Sequence, residues 1–127
     1  MTRPDTTTSS PKVLAAEIVR EYGPFADAPC VNGVTHDGHH VWAALGTRLL
    51  AFDPADGRTV CTLAHAGDAG TAFDGTHLYQ IAKARIDKID PATGRVVASI
   101  PAPGQGEDSG LTWAEGVPGT IGGAVFG

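Results

Sequence analysis

Residues 33–42 read Gly-Val-Thr-His-Asp-Gly-His-His-Val-Trp, and 37 positions later residues 70–79 read Gly-Thr-Ala-Phe-Asp-Gly-Thr-His-Leu-Tyr. The register holds without a gap from Gly33 to Gly67. Gly33, Asp37, Gly38, His40, Arg48, Asp53, Pro54, Ala55, Gly57, Arg58, Val60 and Gly67 each meet the same residue 37 positions on, which is twelve identities in 35 positions. Between them Val41 meets Leu78, Trp42 meets Tyr79, Leu49 meets Ile86, Phe52 meets Ile89 and Leu63 meets Ile100, so the apolar character repeats as well. Such a period marks a structural unit that stacks on copies of itself. A third copy opens at Gly110-Leu111-Thr112-Trp113 and gives way to a Gly- and Pro-rich stretch after Gly116.

Each unit divides into four short segments punctuated by turn residues. In the first unit the candidate strands are 32–36, 40–45, 48–52 and 58–63. They are separated by Asp37-Gly38, by Gly46 and by Asp53-Pro54-Ala55-Asp56-Gly57. Glycine accepts positive φ where other residues clash, proline presets φ, and aspartate bonds the backbone ahead of it. Segments this short, rich in Val, Ile, Thr, Tyr, Trp and Phe, are strands rather than helices. The stretch 12–21 has helical leanings, but Val13, Ile18, Val19 and Tyr22 fit a strand better, and 15–22 is expected as the outer strand of a blade. Four antiparallel strands in about 40 residues build one blade of a β-propeller. The fold class is therefore all-β, a partial propeller with blades at 30–66 and 67–104, an incomplete unit at 105–127 and a disordered polar tail at 1–12. A closed ring needs about 160 residues or more. Oligomerisation, or truncation from a longer chain, is expected to account for the difference, with apolar blade faces and strand edges left uncovered in a lone chain.

Composition narrows the partners. Nine Lys and Arg against 14 Asp and Glu give a net charge of −5, which supplies no basic face for nucleic acid or for an anionic membrane. No stretch of 18 apolar residues spans a bilayer, and 1–10 lacks the apolar core of a secretory leader, so the expected location is the cytoplasm. Cys30 and Cys61 then stay reduced.

The pattern Gly33-Val34-Thr35-x-Asp37-Gly38, Val41-Trp42 and Leu49-x-x-Phe52-Asp53-Pro54-x-x-Gly57-x-x-Val60 resembles the repeat of bacterial β-propellers of the quinoprotein-like and surface-layer type. It is also similar to the five-bladed glutaminyl cyclase (glutamine cyclotransferase) propellers, through Leu78-Tyr79-Gln80-Ile81 and Ile89-Asp90-Pro91-x-Thr93-Gly94. The resemblance covers about residues 13–116 and is specific for propeller repeats rather than for one family. It implies a scaffold that binds a small molecule or peptide. A cyclase-like enzyme forming pyroglutamate is the alternative, and a structural fragment without ligand is the third reading.

Propeller ligands sit over the channel, on loops leading into the innermost strands. Those loops carry Asn32, Asp68, Glu107, Asp108 and Ser109. Glu107 and Asp108, near Trp113, are the candidate proton-transfer carboxylates of a cyclase-like site. Asn32, Asp68, Ser109 and Trp113 are the candidate ligand contacts. His36, His39 and His40 crowd one hairpin, but His40 and His77 share a repeat position, so no metal site is assigned, and no cofactor is called for. Asp53, Asp56 and Asp90 read as turn caps, and Arg48 and Arg85 as structural ion-pairing residues.

Overall fold

The structure is a computed structural model that describes residues 13–111. The polar tail at 1–12, Trp113 and most of the third unit lie outside the described residues. Eight strands form two four-stranded antiparallel sheets with the same order. The first holds β1 (Gly33–His36), β2 (Val41–Ala44), β3 (Leu49–Phe52) and β4 (Thr59–Leu63); the second holds β5 (Thr71–Phe73), β6 (Leu78–Ala82), β7 (Arg85–Ile89) and β8 (Val96–Pro101). Among the described residues there is no helix, so none is long and apolar enough to cross a membrane.

The turn chemistry is the same in both sheets. Asp37 Oδ1 accepts from the amides of His39 and His40, while its Oδ2 accepts from the Trp42 indole at 2.9 Å. Asp74 takes the amides of Thr76 and His77 and the Tyr79 hydroxyl at 2.7 Å. The first aspartate of each hairpin therefore ties its turn to a large side chain of the next strand. The later turns match too. Gly57 and Gly94 both have φ 77°, and their amides donate to the carbonyls of Asp53 and Asp90 at 2.7 Å. The side chains of Asp53 and Asp90 accept from Ala55 and Ala92, as capping residues do. A register shift falls at Ala51/Phe52 in one sheet and Lys88/Ile89 in the other.

Alternation along the strands gives each sheet two apolar faces. Trp42, Ala44, Leu49, Ala51 and Leu63 of the first sheet pack against Leu78 and Ile89 of the second, forming the seam between them. On its far side the second sheet buries Tyr79, Ile81 and Ile86 with Ala102, against Ala69, Ile100 and Leu111. At the inner edge the backbones come very close. A Cβ on Gly33 would lie 2.7 Å from the Ala69 carbonyl oxygen, and one on Gly70 would lie 2.7 Å from the Leu111 amide nitrogen. The start of the third unit thus meets the second sheet much as the second sheet meets the first. Two four-stranded antiparallel sheets joined in this way are blades of a partial propeller.

Two expectations need correction. Residues 13–24 form no strand, because a strand needs a neighbour to accept and donate its ladder bonds and none of the described strands lies beside them. Val13, Leu14, Ile18 and Val19 are left largely exposed. The first sheet's outward face is also not bare. Ala43, Leu45, Leu50 and Phe52 are buried there, with Phe25 and Ala28 packed on them. Tyr22 and Phe25 place their rings 4.7 and 5.8 Å from that of Phe52. The segment is pinned where the Arg20 guanidinium donates to the carbonyls of Pro54 and Ala55 at 2.6 Å, and where the Tyr22 hydroxyl donates to Pro54.

Candidate functional site

In an up-and-down sheet alternate connections fall at opposite ends. The Asp37 and Asp74 hairpins and the Asp-Pro turns lie at one end. The β2–β3 and β6–β7 turns lie at the other, together with the segments that enter and leave each sheet. All the described candidate residues belong to this second end, the linker end.

Asn32 precedes β1 and is half-buried. Its side-chain amide donates to the Gly67 carbonyl at 2.9 Å, and its oxygen accepts the Cys30 thiol at 3.2 Å. Gly67 also exchanges two backbone bonds with Gly46, at 3.0 and 2.9 Å. Asn32 therefore fastens the entry to the first sheet onto the linker that leaves it, beside the exposed Asp68. In the next linker Asp108 is half-buried and accepts from the Gly104 amide at 2.7 Å, closing a tight loop. Glu107 and Ser109 on either side of it are exposed. The structure brings Asn32 and Asp68 to one linker and Glu107, Asp108 and Ser109 to the next. Asn32 and Asp108 hold backbone, while Asp68, Glu107 and Ser109 point their chemistry to solvent. Trp113 lies outside the described residues.

The densest polar cluster was not among the candidates. Asp87, 2 % exposed on β7, accepts from Ser99 Oγ at 2.7 Å, from His65 Nε2 at 2.8 Å and from Arg85 Nε at 3.1 Å to each oxygen. His65 sits in the linker between the sheets, with Nδ1 2.7 Å from the Ala66 carbonyl oxygen. Burial pushes the Asp87 carboxyl up, but the bonds from Ser99 and His65, with the charge and bond of Arg85, outweigh it and hold the group below its ordinary value. Gln80 stands directly across from Asp87 and is fully buried; its amide donates to the carbonyls of Ala69 and Ile81. The signal for this cluster was in the repeat. Asp87 stands 37 positions after Leu50 and His65 37 positions after Ala28, which precedes the first unit, so an acid and an imidazole appear together where apolar residues serve one period earlier.

Arg85 makes the structural ion pair expected of it. Arg48 instead donates to the Ala26 carbonyl at 2.5 Å and helps seat the segment over the first sheet. His36 Nδ1 accepts from the Gly38 amide, and His40 Nδ1 stands 4.0 Å from Asp37 Oδ2.

No protein-family model and no curated protein sequence matches this chain. Among solved structures, the Myxococcus xanthus glutaminyl cyclase superposes with a TM-score of 0.53 at 19% identity, over 68% of this chain and 47% of that one. The Kuenenia stuttgartiensis hydrazine synthase superposes with a TM-score of 0.56 at 18% identity, over 71% of this chain and 28% of that one. This chain thus spans about half the length of the first and less of the second. At these identities the likeness is one of fold, and it agrees with the sheet order and the seam: the chain is an all-β assembly of propeller-type blades.

Proposed function

We propose that the chain supplies two blades and the start of a third to a propeller that serves as a binding scaffold, its ring completed by self-association, with a peptide or small molecule held at the linker end. The observation that supports this is the repeated close approach at Gly33 and Gly70, which sets each blade on the next and brings successive linkers to one end of the molecule. There Asp68, Glu107 and Ser109 offer two carboxylates and a hydroxyl on linkers whose backbones are fastened by Asn32 and Asp108. A rigid frame with a few exposed polar groups suits ligand capture at low entropic cost.

The test is selection from a random-peptide display library, followed by amide-shift mapping with an enriched peptide. The expected result is perturbation centred on 64–70 and 102–111. Shifts confined to the Asp37 and Asp74 hairpins, or no enrichment, would remove the peptide-scaffold reading. A glutamine-terminated peptide in the same experiment addresses the enzymatic alternative. Release of ammonia that disappears in Glu107→Gln would replace the scaffold by a cyclase.

A further inference from the structure

We propose that His65, Asp87 and Ser99 form an acid-labile clasp between the two blades, which lets go of the inter-blade linker when Asp87 takes up a proton. The geometry carries this. Asp87 lies on the face of the second sheet that packs on the first, sharing that face with Leu78 and Ile89 of the seam. His65 approaches it from the linker, Ser99 from β8 and Arg85 from its own strand. Gln80 of β6 stands directly opposite. The first sheet presents the apolar side chains of Trp42, Leu49 and Leu63 to this seam. Lys88 belongs to the other face, its ammonium 5.9 Å from the Tyr79 ring centre.

An ionised Asp87 accepts from Ser99 Oγ, from Arg85 Nε and from a His65 Nε2 that holds its proton. A proton on the carboxyl oxygen facing that Nε2–H sets donor against donor and removes the charge that Arg85 pairs with. The bond across the blades is the one from His65; the others stay within the second sheet. Because Asp87 is held below its ordinary value of 3.8, its contribution is fully present above that value. It is lost as pH falls through the lower folded-state value. The same chain contains the apolar version of this position. Leu50 and Ala28 replace Asp87 and His65 where the first blade meets the segment that covers it, and no titrating group is needed there. Asp37 and Asp74 are held low as well. Burial acts upward on each, and the turn amides, with Trp42 or Tyr79, outweigh it. Those two act inside their own sheets, so comparison of matched variants cancels them.

Cys61 reports on the seam, since it is half-buried on β4 and packs against the cluster of Trp42 and Leu78. In a Cys30→Ser background it is the sole thiol, and a dipyridyl disulfide that reacts in acid measures its protection against the same protein in urea. With His65 and Asp87 present, protection is expected to fall about fivefold more between about pH 6 and about pH 3 than in His65→Ala/Asp87→Leu. Equal falls in the two proteins overturn the clasp. Should the double variant not fold, Ser99→Ala serves. Its deficit in urea midpoint is expected near neutrality and gone in acid, and a deficit that stays constant with pH overturns the clasp equally.

Discussion

At the scale of single residues the two units act as controls for one another. Gly46 and Lys83 share a repeat position in the turn between the second and third strands, with φ 90° and 58°. A left-handed backbone costs a side-chain-bearing residue about 1–2 kcal/mol, and glycine in the same place costs about 0.5–1 kcal/mol more chain entropy. Lys83→Gly is therefore expected to stabilise by about 0.5 kcal/mol, read as a raised urea midpoint at unchanged slope. The inner edge gives the opposite case. Gly70→Ala puts a methyl 2.7 Å from the Leu111 nitrogen, and backbone cannot step aside as a side-chain end can. A loss of about 1–3 kcal/mol is expected there, against less than about 0.5 for Gly110→Ala, whose added carbon meets nothing within 4 Å. Equal effects at Gly70 and Gly110 would show that the blades do not meet at this edge. The identity of these glycines was legible in the 37-residue register, but the reason for each was not. Gly38 answers a turn and Gly33 a neighbouring backbone, and only the fold separates the two. His65 and Asp87 escaped attention for the same reason, being 22 positions apart and harmless in pattern until a buried seam joins them.

At the scale of elements, the strands and their turns were readable because each is decided within a few residues. Asp37 caps its own hairpin, and Gly57 closes its own turn. The segment before the first blade was not readable in this way. Its residues have a strand-like pattern, but pairing depends on a partner from elsewhere, and what formed instead was a covering layer. Tyr22, Phe25 and Ala28 fill the position a preceding blade would occupy, and Phe25 is the centre of that layer. Because it is half-buried, Phe25→Ala is expected to cost about 2 kcal/mol, below the range for a fully buried phenylalanine. Thermal unfolding measures it. A variant within about 0.5 kcal/mol of the parent would mean that the outer face of the first sheet is covered by something other than this segment.

At the scale of the whole molecule, covering one face does not complete a ring. The layer over Phe52 satisfies apolar surface, but it supplies no strand to pair with residues 13–19, whose Val13 and Val19 are 91% and 89% exposed. Hydrophobic side chains on an exposed stretch with no strand partner favour association with another chain. Self-association is therefore expected through this arm and not through the polar linker end, where two carboxylates on exposed loops oppose close approach. Native mass measurement at micromolar concentration is expected to give a multiple of 13.0 kDa. Ile18→Asp combined with Val19→Asp is expected to return the monomer, since burying an unpaired carboxylate costs several times what an exposed one does. Added salt separates this from charge-driven clustering. Screening weakens contacts between exposed charges beyond about 8 Å at physiological strength but leaves apolar burial intact, so the assembly should persist from low to moderate salt. A parent chain that runs as a monomer would confine the blade contacts to those within one chain and leave the ring open, and an assembly indifferent to both aspartates would place the association outside this arm.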